Sequence, residues 1–175
     1  MTNATADASA ITTIWPSGFP AHKDGFAGFA VREVEADADA VFAWIRRVDL
    51  HEGYYPALRF VRKRGGAWPQ LEKGSAFSML IGGLFIPYIK VTKVDEAERS
   101  LGWGSNTPLL SVCHSFTVKP IGNGRTLIRS EERMVGPLAK VLKPVAAGQL
   151  QKVQTEWTEA LVRMVGAFPD GPPAK

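Results

Sequence analysis

The stretch HSFTVKPIGNGRTLIRSEERMVGPL, from His114 to Leu138, predicts a β-hairpin, and the rest of the chain is interpreted around it. Asn123-Gly124 is a turn dipeptide, because both residues tolerate positive φ. The runs on either side, 111–119 and 125–134, are strand-like. The hairpin therefore places one histidine on one strand and two adjacent glutamates on the next.

Side-chain alternation along these two strands predicts which residues face the interior. His114 shares a face with Phe116 and Val118, which indicates that this face is the inner one. On the second strand Glu131 shares a face with Arg129 and Arg133, so that face is predicted to be exposed, with Glu131 paired to arginine. Glu132 is then predicted to point inward.

Hydrophobic periodicity places the other elements around this hairpin. A first strand, GFAVREVEA, is followed by a helix that Asp37 could cap and by a short helix over 49–58. Further strands are predicted at 60–63, 75–81, 85–94 and 101–105, with a GGL hairpin signal between the second and third. A long C-terminal helix follows, whose apolar positions are Leu150, Val153, Trp157, Leu161 and Met164. Pro137 and Pro144 each fit the first turn of a helix.

This order of elements predicts an α+β fold: a curved antiparallel β-sheet wrapped around a long C-terminal helix, with two short helices after the first strand. Such a sheet and helix can leave a cavity between them. We expect residues 1–25 to form a flexible N-terminal arm, residues 26–168 a single ligand-binding domain and residues 169–175 a disordered tail.

Composition excludes several classes of protein. The 175 residues are 45% hydrophobic and 22% charged, which is typical of one globular domain. The net charge of +4 is small and its basic residues are dispersed, so no nucleic-acid binding is predicted. The most apolar run, residues 77–89, is shorter than the roughly 20 residues that span a bilayer, so no integral membrane segment is predicted.

The single cysteine and the three histidines indicate the cellular location and whether a metal site is expected. Cys113 is the only cysteine, which excludes an intrachain disulfide and suits a reducing cytosol. The N-terminus has no signal-peptide pattern, so we expect a soluble, cytoplasmic protein. The three histidines are far apart in the sequence, and neither a metal site nor a cofactor is predicted. The sequence leaves homodimer formation open.

The hairpin also carries a family resemblance. The series His114-x-Phe116-x-Val118-x-Pro120, Gly124-x-Thr126, Glu131-Glu132 and Gly136-Pro137-Leu138 resembles the START-like superfamily, also called SRPBCC or Bet v 1-like, which includes polyketide cyclase/dehydrase-type proteins. Many bacterial members carry a similar series, and the helix ADAVFAWI is a second match. The resemblance implies a helix-grip fold with a deep hydrophobic pocket. Members bind lipids, sterols, polyketides or plant hormones, and some are enzymes.

Three functions are compatible with this resemblance. The first is binding of a small hydrophobic ligand, such as a lipid or polyketide-like molecule, between the sheet and the C-terminal helix. The second is a cyclase or dehydratase that uses His114 and Glu132 as its acid and base. The third is a lipid carrier or protein-interaction module without catalysis. The candidate ligand-binding residues are Tyr54, Tyr55, Trp68, Phe77, Met79, Trp103, Phe116, Met134, Leu150, Val153 and Trp157.

Overall fold

The computed structural model describes residues 8–173, so residues 1–7 of the expected arm and 174–175 of the expected tail lie outside the described part. A single antiparallel sheet of seven strands, in the order β1-β7-β6-β5-β4-β3-β2, packs against one long helix. The α+β helix-grip prediction is confirmed. After a 3₁₀ turn at Ala8–Ala10, the elements are β1 (Gly25–Glu35), α1 (Ala38–Arg46), α2 (Val48–Tyr54), β2 (Leu58–Gly65), β3 (Ala76–Ile81), β4 (Leu84–Asp95), β5 (Ser100–Asn106), β6 (Ser111–Gly122), β7 (Arg125–Val135) and α3 (Pro137–Ala167).

The predicted β6–β7 hairpin is confirmed. Asn123 and Gly124 adopt φ of 54° and 66° at its turn, and His114 lies directly opposite Glu132 across the two strands. The β3–β4 hairpin turns at Gly82-Gly83, where φ is also positive. Asp37 caps α1 as predicted, since its carboxylate accepts a hydrogen bond from the Asp39 amide at 2.8 Å.

The position predicted for Pro144 is wrong. Pro137 begins α3, but Pro144 lies inside this continuous 31-residue helix. A proline in a helix interior removes the hydrogen bond to the carbonyl four residues earlier, here that of Lys140. Both residues are exposed, so water can solvate that carbonyl. The first third of α3 tolerates the proline because little of it is buried.

Close contact with β1 fixes the position of α3. A Cβ atom at Gly28 would lie 2.8 Å from the Leu150 carbonyl carbon and 2.8 Å from the Gln151 nitrogen, so only glycine allows the helix backbone to lie there. The Gln151 side chain also accepts from the Phe29 N–H at 3.1 Å and donates to the Phe29 carbonyl at 2.7 Å. These bonds satisfy backbone groups at the edge of the sheet.

The segment before β1 covers part of the sheet face opposite α3. Ile11 is buried against Val31 and Leu127. The Ile14 N–H donates to Thr117 Oγ1, and the Ile14 carbonyl accepts from Ser115 Oγ at 3.0 Å. The sequence had predicted a flexible arm for this segment.

The segment also changes the surroundings of Glu131. This residue pairs with Arg129 at 2.7 Å, as predicted, and accepts a hydrogen bond from Thr13. It is only 9% exposed, however, so the predicted solvent face is covered here. Alternation along a strand distinguishes the two faces of a sheet but does not show which face another segment covers.

No helix within residues 8–173 is long and apolar enough to span a bilayer.

We expect Gly28→Ala to destabilise the fold by about 1–3 kcal/mol, because the added methyl group would push α3 away from β1. Gly148→Ala is the matched control. Gly148 lies in α3 with open space around its Cβ position, and alanine there should stabilise the helix by about 0.5–1 kcal/mol. Urea unfolding of both variants measures the difference. Equal effects of the two substitutions would contradict the close-contact explanation.

Candidate functional site

Three polar aromatic or acidic side chains form one row across the inner face of the sheet. Trp103 on β5 is the direct neighbour of His114 on β6, and His114 is the direct neighbour of Glu132 on β7. Gly28 on β1 follows Glu132 in the same row, where α3 touches the sheet. We call Trp103, His114 and Glu132 the polar row.

A chain of hydrogen bonds links the polar row to α3. His114 Nε2 lies 2.8 Å from Ser130 Oγ, and Ser130 Oγ donates to Gln154 Oε1 at 2.7 Å. Gln154 Nε2 in turn donates to Glu132 Oε2 at 3.3 Å. Because the single hydroxyl proton of Ser130 goes to Gln154, Ser130 accepts from His114, and the proton of the neutral imidazole is on Nε2.

Two polar atoms of the row have no hydrogen-bond partner. The His114 Nδ1 atom carries a lone pair and lies 3.7 Å from Glu132 Oε2, which is too far for a hydrogen bond. The Trp103 Nε1–H group is also buried and unpaired. An unsatisfied buried polar group costs about 1–3 kcal/mol, so an interior rarely keeps two in adjacent residues without a use for them.

Burial displaces the pKa values of the two ionisable residues in opposite directions. It raises the pKa of Glu132 to about 7. It also lowers the pKa of His114 to about 3, with a smaller contribution from His51. At neutral pH His114 is therefore uncharged, with its Nε2–H donated to Ser130 and its Nδ1 lone pair unused, whereas Glu132 changes between its acid and its carboxylate.

Trp157 on α3 connects the polar row to the other aromatic residues. Its ring centroid lies 4.9 Å from that of His114 and 6.1 Å from that of Trp103. Tyr55 stacks on it at 5.8 Å, and burial raises the pKa of the Tyr55 hydroxyl to about 12. The Trp157 N–H donates to His51 Nδ1 at 3.2 Å.

The structure brings most of the predicted ligand-binding residues into one cluster around Trp157. Its buried members among them are Tyr55, Phe77, Met79, Trp103, Phe116 and Trp157. Three more pack against this cluster while partly buried: Tyr54, Trp68 and Val153. Met134 and Leu150 instead belong to a second cluster with Phe26 and Ala139, nearer the start of α3.

Three residues of the site were not predicted from the sequence. Ser130 belongs to the same inward set as Glu132, so alternation could have identified it. Gln154 is three residues before Trp157 and four after Leu150, which places it on the buried side of α3. His51 is fully buried, and its Nε2 atom lies 3.2 Å from the Trp44 carbonyl. Nothing in the local sequence distinguishes it from a surface histidine.

The polar row lies close to an open edge of the sheet, with one further set of inward-facing side chains between it and the solvent. The next row of inward positions holds Ser105, which is exposed, and Val112 and Met134, which are partly buried. The Glu132 side chain is 14% exposed, whereas His114 is only 2% exposed. The β3–β4 turn lies near α3 at this edge, since a Cβ atom added at Gly82 would be 3.7 Å from Gln149 Nε2. We call this edge the mouth.

Clefts among residues 8–173 also lie away from the polar row. One, of about 560 Å³, is lined by residues such as Lys23, Pro108 and Pro137 near the start of α3. The other, of about 290 Å³, lies beside Ile11 and Arg129. Neither is lined by the polar row, whose surroundings are filled by aromatic side chains. Within residues 8–173, no group of three His, Cys, Asp or Glu side chains could hold a metal ion.

Comparison with known proteins adds a family and a fold. The family model described as polyketide cyclase / dehydrase and lipid transport matches residues 30–166, and no curated protein sequence matches the chain. A hypothetical protein from Helicobacter pylori is 19% identical with a TM-score of 0.70, over 91% of this chain and 99% of that one. Norcoclaurine synthase from Thalictrum flavum, in complex with dopamine and hydroxybenzaldehyde, is 18% identical with a TM-score of 0.59, over 89% and 96%.

Ginseng major latex-like protein from Panax ginseng is a third similar structure. It is 16% identical with a TM-score of 0.59, and the match covers 83% of this chain and 99% of that one. At these identities the three structures show a shared fold. Together with the family match, they confirm the Bet v 1-like resemblance that the hairpin suggested.

We expect Glu132→Gln to stabilise the protein at pH 8 by an amount on the order of 2–3 kcal/mol. The pKa of Glu132 is raised on folding, so the wild type loses stability as pH rises from about 4.5 to about 7. The glutamine variant does not lose this stability, because its side chain does not ionise. The gain should therefore disappear by pH 4, where both states of the wild type are protonated.

Urea unfolding of both proteins at several pH values makes this measurement. Glu131→Gln is the control, because it removes the neighbouring carboxylate that is paired with Arg129, and no such gain at pH 8 is expected from it. A stability difference between the wild type and Glu132→Gln that stays constant across this pH range would refute the raised pKa.

Proposed function

This chain belongs to the polyketide cyclase / dehydrase and lipid transport family, and we propose that it binds a small, mostly apolar ligand between its sheet and α3. The observation that carries the proposal is the pair of unpaired buried atoms, Trp103 Nε1 and His114 Nδ1, inside an aromatic interior. A polar group of a ligand could pair with them. Their burial cost would then be recovered on binding.

The aromatic cluster would supply most of the affinity. Burying apolar surface contributes about 25 cal/mol per Å², from which the costs of ordering the ligand and the side chains are subtracted. The rings of Trp103, Phe116 and Trp157 offer such surface next to the polar row. The polar row would orient the ligand, as the few polar groups of an apolar pocket usually do.

The mouth is the proposed entrance. Glu132, at 14%, is more exposed than His114 at 2%, and the side chains beyond it, Val112 and Met134, are only partly buried. Because aromatic side chains fill the interior, entry requires them or the β3–β4 turn to move. The norcoclaurine synthase structure, which holds dopamine and hydroxybenzaldehyde, supports the idea that this fold admits small aromatic molecules.

A second candidate function is acid–base catalysis by Glu132. The specific observation in its favour is a carboxyl group with a pKa of about 7 that is still 14% exposed at the mouth. Such a group is near the optimum for proton transfer at neutral pH. As a carboxylate it could remove a proton next to a carbonyl group, and as an acid it could protonate a departing hydroxyl. His114, neutral at this pH, would act by positioning.

We expect the full chain to bind the neutral dye Nile red saturably, with one site per chain. Met134→Trp should weaken binding at least about tenfold, because the larger ring would fill the mouth. Phe60→Ser is the control, since Phe60 is exposed on the edge strand β2 and its loss should leave a mouth-dependent site intact. Fluorescence titration gives both values. Non-saturable binding, or an equal loss in both variants, would rule out the proposed site.

The acid–base hypothesis can be tested with nitrobenzisoxazole, a reporter for a carboxylate base in an apolar site. The base takes the ring C–H proton, the C–H electrons form the nitrile, and the N–O bond breaks to release a phenolate. We expect the rate to rise with pH through an apparent pKa of about 7. Glu132→Gln should lower it at least about a hundredfold. A variant as active as the wild type would remove Glu132 as an accessible base.

A further inference from the structure

The two unpaired atoms of the polar row require different hydrogen-bond partners. Trp103 Nε1–H can only donate a hydrogen bond, and His114 Nδ1 can only accept one, because the His114 proton is on Nε2 facing Ser130. The two rings are adjacent, with centroids 5.1 Å apart. A single group that satisfies both atoms must therefore accept one hydrogen bond and donate another.

We propose that the group of the ligand held by the polar row is an uncharged hydroxyl, of an alcohol or a phenol. This inference rests on the proposed ligand-binding function. A hydroxyl oxygen accepts from Trp103 Nε1, and its proton goes to His114 Nδ1 or to the Glu132 carboxylate beside it. No net charge is brought into the interior, so no counterion is required.

A ligand carboxylate fits this row poorly. It has no proton to donate to His114 Nδ1, and it would add a negative charge beside Glu132. Burial is the cause of the raised pKa of Glu132, and no lysine or arginine of residues 8–173 offsets it. The two most buried arginines are held elsewhere, Arg46 by the Leu71 carbonyl at 3.0 Å and Arg47 by Asp49 at 2.9 Å. A buried anion without a cation is strongly disfavoured.

A ligand ammonium group fits only in part. It could pair with the Glu132 carboxylate, but it has no lone pair for the Trp103 N–H, which would stay unsatisfied. Burying an ion pair also costs desolvation of both charges, which their attraction often fails to recover. A hydroxyl group avoids both costs, because it satisfies the Trp103 N–H and brings no charge into the interior.

A matched series of ligands tests this inference on the full chain. Decanol, decanoate and decylamine share one alkyl chain and differ only in the terminal group. At pH 8 Glu132 is mostly ionised, and calorimetric titration should show decanol binding at least about tenfold tighter than decanoate. Decylamine should bind more weakly than decanol.

Two variants connect the preference to the row. Glu132→Gln removes the negative charge, so the advantage of decanol over decanoate should fall severalfold. Trp103→Phe removes the N–H while keeping an aromatic ring, so decanol should bind severalfold more weakly. Trp15→Phe is its matched control, because Trp15 precedes β1 and contacts Phe19, and it should leave decanol affinity unchanged.

The outcomes separate this inference from the function beneath it. Decanoate or decylamine binding as tightly as decanol to the wild type would overturn the hydroxyl assignment and leave the ligand-binding proposal standing. If none of the three ligands binds saturably, both proposals fail. The comparison among ligands uses the wild type alone, so it holds even if a variant folds poorly.

Discussion

Gly28 allows the backbone of α3 to lie directly on β1, and the position of every helix side chain in the site follows from that contact. Gln151 fixes the helix along the strand through its two bonds to Phe29. Three residues later Gln154 reaches Ser130 and Glu132, and three residues after that Trp157 covers His114. A helix displaced outward by one methyl group would lengthen the bonds of Gln154 first, because they span the gap between helix and sheet. The contact at Gly28 thus controls the geometry of a site whose reactive atoms it does not touch.

The interior of this protein is not arranged for greatest stability. Ser130 and Gln154 each satisfy their neighbours, yet the row still leaves Trp103 Nε1 and His114 Nδ1 unpaired, and it keeps Glu132 where burial opposes its ionisation. Apolar residues of similar size would avoid these costs. These costs fall on adjacent positions of three strands next to the mouth, and the unpaired buried hydroxyls of Tyr54 and Tyr55 lie in the same cluster around Trp157. Costs that are concentrated in this way are expected of a binding or catalytic site, where a ligand supplies the missing partners.

The local sequence pattern predicted the residues that the sheet contributes to this site, but not the contacts that α3 makes with them. His114 and Glu132 could be placed on the inner face because a hairpin with an Asn-Gly turn has a fixed register and an alternation of period two. Gln154 could not be matched to Ser130, since the position of a helix on a sheet depends on a contact between residues more than 120 positions apart, Gly28 and Gln151. The same limit explains the covered Glu131. The segment before β1 is held by hydrogen bonds from the Thr13 hydroxyl and the Ile14 backbone. Such bonds produce no hydrophobic periodicity that could be recognised in the sequence.

Different parts of α3 serve stability and access. From Leu150 onward the helix is anchored, by Gln151 on β1, by Gln154 and Trp157 on the inner face, and by Glu159 in an ion pair with Arg32 at 2.7 Å. Before Leu150 the helix is less buried: Ala139 still packs against Phe26, but Val141 and Val145 are more than 70% exposed and Pro144 is tolerated. The mouth lies at the border between these two parts, where the turn at Gly82 leaves room for a Cβ atom beside the Gln149 side chain. Substitutions in the anchored part therefore act on folding and on the polar row together, whereas exposed positions of the first part, such as Val141 and Val145, can vary without disturbing either.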